Sequence, residues 1–477
     1  MFRKAVLIFS FFSLWAVGQQ NQQLYFMHYL PESNFLNPAV QNECKWFIGL
    51  PVISSVHFNY ANSVASYRNL FSKRTGEFKG DQVVKLLGRR SFVGAEFHTT
   101  LLALGYQKDD KYFNFSIIEK INAPVTLPKQ IFQLAWKGNS QFEGEEAGLK
   151  GTAAYLIHYR EYAVGYSKTN WNGDLIGIKA KLLFGKLNLA TPRTNTSIYT
   201  DANTFNLRLH GTIKANMSAP VTLYQDGNLI NDAEINNTSI SGYLLNRKNW
   251  GFAIDLGIIR QYNEYITLSA SILDLGFIRW RSNLNNITKT GDIYITGVPF
   301  DSVDPGNYLD NLASNIIDST ELTIHHNPYF TLLPIKMYAG AQYILSDKLV
   351  ANGLLSATLY RSKFLTGATV SLDYNPFGHF HVIGSYSQMY RSLKIAGLGF
   401  SAGRGPVQFY MISDNVCGFI WPLSARNINL RFGLNINLGC ETKSLKEPAR
   451  RIPSLKDACK VFDEKDRMNK RKGGRHR

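Results

Sequence analysis

The sequence is short of charge, of cysteine and of long apolar runs. Charged residues are only 18% of 477, with 52 Lys or Arg against 35 Asp or Glu, and cysteines number four. So few cysteines exclude a disulfide scaffold. Beyond the N-terminus there is no run of about 18 apolar residues, and mean hydropathy is −0.16, which excludes a helical membrane span. Low charge with 13% aromatic residues also excludes a disordered chain, which is poor in aromatics and rich in charge. Stretches of Ala, Glu, Leu and Lys that make amphipathic helices are scarce too. What is abundant is Phe (30), Tyr (25) and Gly (38), with much Asn, Ser and Thr, a composition suited to strands. The fold class read from this is all-β, in one large unit, because composition does not shift before about residue 441.

Residues 1–18 carry Arg3 and Lys4, an apolar run from Ala5 to Val17, and small residues at Ala16 and Gly18. This is the pattern of a secretory signal peptide cleaved before Gln19. The apolar run is shorter than the ~20 residues of a membrane anchor, and no cysteine stands at the cleavage point for lipid attachment. The chain is expected to leave the cytoplasm.

From Asn427 to Leu438 every even position is large and apolar, and every odd one is Asn, Arg or Gly. Successive side chains on a strand point to opposite faces, so these twelve residues have one apolar and one polar face. The pattern recurs at 174–189, 203–216 and 249–260. A soluble strand usually has about five or six residues, whereas a tilted strand crossing a bilayer needs roughly 9 to 11. Length, hairpins with short polar turns, and Tyr106, Tyr112, Trp280, Tyr343 and Tyr360 near strand ends together favour a transmembrane antiparallel β-barrel over a secreted sandwich or propeller.

Sixteen segments alternate or nearly so, near 52–62, 93–106, 111–121, 152–159, 161–168, 174–189, 203–216, 249–260, 264–280, 335–345, 348–360, 364–375, 379–388, 391–402, 406–413 and 427–439. The connection at 190–202 is too long for its place in the series, so the count is 14 or 16. Tight and long connections otherwise alternate, the longest being 281–334. Outer-membrane barrels have short periplasmic turns and long extracellular loops, so both termini are expected in the periplasm. The domain plan is signal peptide 1–18, an N-terminal periplasmic or plug-like segment 19–51, barrel 52–440, and a basic periplasmic tail 441–477.

The polar faces place Lys179, Lys181, Arg208, His210, Lys214 and Arg431 toward the lumen. Pro31 to Cys44 is neither alternating nor helical, with Pro31 and Pro38 as breakers; with Asn37, Pro38 and Ala39 it either folds into the lumen as a plug or leads into the first strand. The tail has a net charge of +7 and too few large apolar residues for a core. Arg450, Arg451, Lys470, Arg471 and Lys472 are its candidate contacts to an acidic periplasmic partner, another outer-membrane protein or peptidoglycan. Nucleic acid is not an expected partner of a secreted chain; outer-membrane lipid is. Cys44, Cys440 and Cys459 fall on the periplasmic side and Cys417 in an outer loop, and Cys440 and Cys459 could pair.

Catalytic signatures are missing. No GxSxG, Walker loop, HExxH or dinucleotide fingerprint occurs, and His379 with His381 lacks a third metal ligand nearby. Neither an enzyme, a metal nor a cofactor is expected.

Asn37-Pro38-Ala39 resembles the tripeptide near the start of FadL/PorV-like and PorP/SprF-like barrels of Bacteroidota outer membranes. Asp274 to Trp280, the stretches Gln408-Phe409-Tyr410 and Ser413-Asp414-Asn415, and the ending Leu430 to Gly439 together resemble uncharacterised barrels of those membranes. The resemblance covers most of residues 30–440 and implies an outer-membrane barrel; it supplies no catalytic or ligand residues. Two functions fit it. One is an accessory or scaffold barrel in an outer-membrane machine for secretion (type IX), gliding or barrel assembly, contacted through the tail. The other is a FadL-like or porin-like conduit for a small or apolar solute. The tail favours the first.

Overall fold

The computed structural model describes residues 21–440 except 73, 192–193, 204–205, 227–228, 236–238, 296–319, 361–362, 390–392 and 404–405. The expected signal peptide and the tail with Arg450, Arg451, Lys470, Arg471, Lys472 and Cys459 therefore lie outside the described residues.

Fourteen antiparallel strands close into a barrel. β1 is split into Cys44–Gly49 and Val56–Asn62, and both pieces pair with the same two neighbours. β2 (Arg90–Lys108), β3 (Lys111–Pro128), β4 (Ala153–Thr169), β5 (Leu175–Ala190), β6 (Asn249–Gln261) and β7 (Ile266–Trp280) follow. Then come β8 (Ile335–Ser346), β9 (Leu349–Tyr360), β10 (Lys363–Tyr374), β11 (Phe380–Met389), β12 (Leu393–Ala402), β13 (Val407–Ser413) and β14 (Asn427–Cys440). Each strand pairs with the next, and β14 pairs with β1, so the wall has no open edge. Closure is what a bilayer demands, because each unpaired backbone group in hydrocarbon costs several kcal/mol.

The alternation sorts residues between outside and inside. On β5, Ile176 and Ile178 are 50% and 47% exposed while Lys179 and Lys181 are 2% and 3% exposed. An apolar exterior around a polar interior is the pattern of a transmembrane barrel.

The strand count falls below sixteen for two reasons. The segments 152–159 and 161–168 are one strand, β4. Its expected break, Arg160, is an in-line residue whose charge meets Glu119 on β3 at 2.6 Å. The segment 203–216 falls on Leu207–Ser218, which alternates because it extends the same sheet past the loop-side end of β5, where it pairs with Asn188–Ala190. There it joins Asn195–Thr200 and Leu284–Ile295, and the latter also pairs with Thr320–His325. Arg208, His210 and Lys214 ride on this outer strand, so they do not face the lumen; Arg208 and His210 share Asp292 at 2.6 Å each. All of this extra structure belongs to the connections after β5 and β7, on what we call the loop side. The opposite, turn side has tight connections throughout.

Two expected girdle residues also turn inward. Trp280 and Tyr112 are buried, Trp280 in an apolar cluster with Tyr155, Ile157, Leu183 and Ile278 that fills the loop end of the lumen. Tyr106 stacks obliquely on exposed Trp46 at the turn end of the wall, with ring centroids 4.3 Å apart.

The barrel begins at Cys44, not at residue 52. Residues 50–55 bulge out of β1, and their backbone groups are satisfied by neighbours on both sides: Thr100 donates to Ser55 and Leu434 to Ile53. At Gly433 a Cβ would collide with the Ser54 carbonyl, which is why a glycine interrupts the row of Asn and Arg on β14. The barrel is also locked covalently. Cys44 and Cys440 are register partners on β1 and β14 and form a disulfide across 396 residues. This replaces the expected Cys440–Cys459 pairing: strand register brings Cys44 to Cys440, whereas proximity in sequence favours Cys459.

Candidate functional site

The site is the lumen and what fills it. Residues 22–40 lie inside the barrel, with Leu24, Tyr25, Met27 and Leu30 fully buried against Tyr338, Leu354, Ile383, Tyr410 and Ile412 of the wall. Two short 3-10 turns, Leu24–Phe26 and Pro31–Phe35, shape this plug. Pro31 opens the second turn, where its missing N–H costs nothing.

The plug is tied around the circumference. Gln23 Nε2 donates to Ser385 Oγ at 2.8 Å on β11, and Thr369 Oγ1 on β10 donates to Gln22 Oε1 at 3.3 Å. Ser271 Oγ on β7 donates to the Leu36 carbonyl at 2.6 Å, and Lys179 Nζ on β5 donates to the Asn34 carbonyl at 2.9 Å. On β13 Gln408 donates to the Tyr29 carbonyl at 3.0 Å, and Arg431 Nε on β14 donates to Asn21 Oδ1 at 2.9 Å. Asp414 accepts the backbone N–H groups of Asn21 and Gln23 at 2.6 and 3.2 Å. The described residues thus start within the lumen beside Asp414 and descend to the turn side, where β1 begins.

Asn37, Pro38 and Ala39 form the turn at which the plug leaves the lumen wall. Asn37 Oδ1 accepts from the Ala39 N–H at 3.0 Å, and Asn37 Nδ2 reaches the Ile258 carbonyl at 3.4 Å. The wall is hollowed to receive it. Gly177 on β5 and Gly257 on β6 are register partners; a Cβ on the first would collide with the Pro38 carbonyl and on the second with Asn37 Oδ1. Side-chain absence at two adjacent inward positions makes a seat for one backbone turn.

Between plug and loop end lies a belt of buried charges. Lys181 Nζ lies 2.7 Å from Asp255, 2.6 Å from Asp274 and 3.6 Å from Glu161. Lys120 pairs with Glu161 at 2.7 Å, and Lys336 with Asp274 at 3.8 Å. The belt crosses β3 to β8 and balances three Lys against three carboxylates. Asp274 takes a left-handed backbone conformation (φ 60°) and donates its N–H to Asp255.

Beneath the plug a cavity of about 1840 Å³ opens to the turn side, lined by Phe26, His28 and Tyr29 above and by Lys108, Lys168, Lys348, Asp373 and His381 around it. His381 stacks on Tyr29 with centroids 3.6 Å apart and meets Asp373 at 3.3 Å, while His379 sits in the turn against Phe377. Burial lowers the pKa of His28 to about 4, which keeps it neutral, and raises that of Glu32 in the plug to about 8. Glu32 has no salt bridge among the described residues; the Arg431 guanidinium and Asn435 are its nearest favourable partners. Sequence reasoning placed Lys179, Lys181 and Arg431 on a polar face but missed Gln22, Gln23 and Glu32. Their only signal is composition, because a polar run ahead of the first strand also fits a mature terminus.

Residues 38–414 match the model of a family of unknown function, DUF5723. The chain belongs to that family. Asp274 to Trp280, within the match, supplies the belt carboxylate, the tight strand crossing at Gly276 and the indole that fills the loop end. No functionally curated protein matches the chain. Among solved structures it is similar to the Ralstonia pickettii toluene transporter TbuX (8% identity, TM-score 0.41, covering 86% of this chain and 94% of that one). It is also similar to the Pseudomonas putida toluene transporter TodX (11%, 0.39, 85% and 93%). A Pseudomonas aeruginosa FadL homologue is similar as well (11%, 0.37, 86% and 94%). The protein is an outer-membrane type β-barrel, a closed antiparallel wall with an apolar outside and a filled polar inside.

Proposed function

We propose that this protein is a gated conduit of the outer membrane for a small solute, with the plug as the gate. The observation that carries the reading is the seat at Gly177 and Gly257. A segment meant only to fill space would pack on ordinary side chains, whereas this one is held by hydrogen bonds of about 1 kcal/mol each that can be broken singly. The lumen is closed by plug, charge belt and aromatic cluster, so an open porin does not fit. Long connections face outward and tight turns the periplasm, following the usual asymmetry of such barrels. The cavity beneath the plug is then the periplasmic exit. The alternative, an accessory barrel in a secretion or gliding machine, rests on the basic tail and on the tripeptide likeness at Asn37, and no described feature favours it.

Planar-bilayer conductance tests the reading. The wild type should be closed with rare openings. Gly257→Val should push the Asn37 turn off the wall, at an overpacking cost of about 1 to 3 kcal/mol, and give sustained conductance while the barrel still resists cold detergent. A folded Gly257→Val barrel that conducts no more than wild type would rule out the plug as gate.

A further inference from the structure

A second built surface lies outside the barrel, on its loop-side rim. The connections after β1 and β3 form three short helices, Tyr67–Leu70, Gly80–Leu86 and Lys129–Lys137. They share a small core of Val64, Ala65, Val83 and Leu87, against which Leu70, Val93 and Phe132 pack. Val93 places this collar. It lies on β2 four residues from Phe97, on the same face, and Phe97 is one of the exposed outward residues. The helices therefore sit against the outside of the wall, not over the lumen.

Height along the wall can be estimated. Thirteen positions separate Tyr106, at the turn-side girdle, from Val93. At about 3.3 Å per residue and a tilt of roughly 40° this is about 33 Å, or some 8 Å beyond an apolar band about 25 Å tall. That is the depth of lipid headgroups.

The chemistry of the collar suits that depth. Tyr67, Phe71, Phe78 and Trp136 form a chain of ring contacts with centroids 4.8 to 5.7 Å apart, yet Tyr67, Phe78 and Trp136 stay exposed. Gly80 lets the indole lie on the helix start, since any Cβ there would overlap the ring. Exposed Trp421 and Leu423 of the connection after β13 extend the patch toward Tyr67–Leu70. Residues 63–90 and 129–142 hold nine Lys or Arg and two acids, a net of +7. Lys137 pairs with Asp81 at 3.3 Å, while Arg68, Lys85 and Arg89 have no ion pair among the described residues. Exposed aromatics beside unpaired cations are the signature of an interfacial element on an anionic lipid surface.

We propose that this collar seats in the headgroup layer of the outer leaflet and binds phosphate-bearing glycolipid there. The proposal rests on the outward orientation of the long connections but not on the plug acting as a gate. Three measurements on the full-length protein test it. In vesicles of bromine-labelled phosphatidylcholine, the part of the fluorescence lost in Trp136→Phe should be quenched; an unquenched Trp136 overturns the collar. Binding of diphosphorylated lipid A in detergent should fall at least tenfold in Arg68→Glu/Lys85→Glu/Arg89→Glu and stay unchanged in the turn-side control Lys108→Glu/Lys348→Glu. Equal losses in both, or no loss in the first, overturn the glycolipid site. An impermeant maleimide should label the exposed Cys417, on the same rim, in intact cells. Protection of Cys417 with Trp136 still quenched would overturn the orientation and the outer-leaflet assignment together, whereas labelling without quenching overturns the collar alone.

Discussion

The two halves of the barrel fill their lumen differently. β2 to β7 are 13 to 19 residues long and carry all of the charge belt but Lys336. β8 to β13 are 7 to 12 residues long, and their buried inward residues are mostly hydroxyls and amides: Asn352, Ser356, Thr358, Thr369, Ser371, Ser385 and Ser387. Lys, Asp and Glu side chains are long enough to reach a neighbouring strand and neutralise one another. Ser and Thr reach only the residue beside them, as Thr369 does Ser387 at 2.7 Å, so a lumen lined by them takes further partners from a separate segment. Gln22 and Gln23 supply these, which is why the plug binds β10 and β11 through side-chain amides. The charge belt of the first half satisfies itself, yet both halves hold the plug: one through Lys179, Ser271 and the seat at Gly177 and Gly257, the other through side-chain amide bonds that can be broken one at a time.

The sharpest way to break this comparison is Lys181→Met. The change leaves Asp255 and Asp274 buried without their shared cation, and removing one partner of a buried pair costs about 3 to 5 kcal/mol. The heat-modified band should appear at a markedly lower temperature in gel-shift melting. Combining Lys181→Met with Asp255→Asn and Asp274→Asn should recover most of the loss, because an uncharged network has no unpaired ion. If the single variant melts like wild type, the charged half is not held by its belt.

A smaller effect separates the halves by pH. The Glu32 carboxyl sits near 8 when the plug is docked and at 4.5 when free, so the docked state binds the extra proton between those values. The Glu32 contribution weakens docking as pH rises from 4.5 toward 8, but His28 in the same plug, whose pKa burial lowers to about 4, opposes it up to about 6.5, so the net weakening falls between about 6.5 and 8. Channel openings should become more frequent from about pH 6.5 to 8 in wild type and lose that rise in Glu32→Gln. A wild type with no pH dependence, or a Glu32→Gln variant with the same slope, would show that Glu32 does not sense docking.

The wall was legible in the sequence where its alternation was regular. Asn427 to Leu438 announces one lipid-facing and one lumen-facing row, and β14 follows it. Alternation misleads at Leu207–Ser218 because a sheet that runs on past the loop-side end of the wall has the same period, and at Arg160 because a charge that is paired across strands looks like a break. The disulfide was hidden because register, not spacing, selects Cys44 for Cys440. The plug was half legible: Pro31 and Pro38 mark a segment that is neither strand nor helix, but the seat at Gly177 and Gly257 exists only once β5 and β6 are paired.

The finest test of the asymmetry is a single hydroxyl in the plug-completed half. Ser385 Oγ accepts from Gln23 Nε2 at 2.8 Å, and the same amide also reaches the Ser413 carbonyl at 3.3 Å. Ser385→Ala removes one of two acceptors, so the amide keeps a partner and the loss should be about 1 kcal/mol, roughly a fivefold rise in open probability. Gln23→Ala removes both bonds and should open the channel further. Equal conductance for Ser385→Ala, Gln23→Ala and wild type would mean that the plug is held by its apolar face on Tyr338, Leu354 and Ile383, with the hydroxyl half contributing shape rather than bonds.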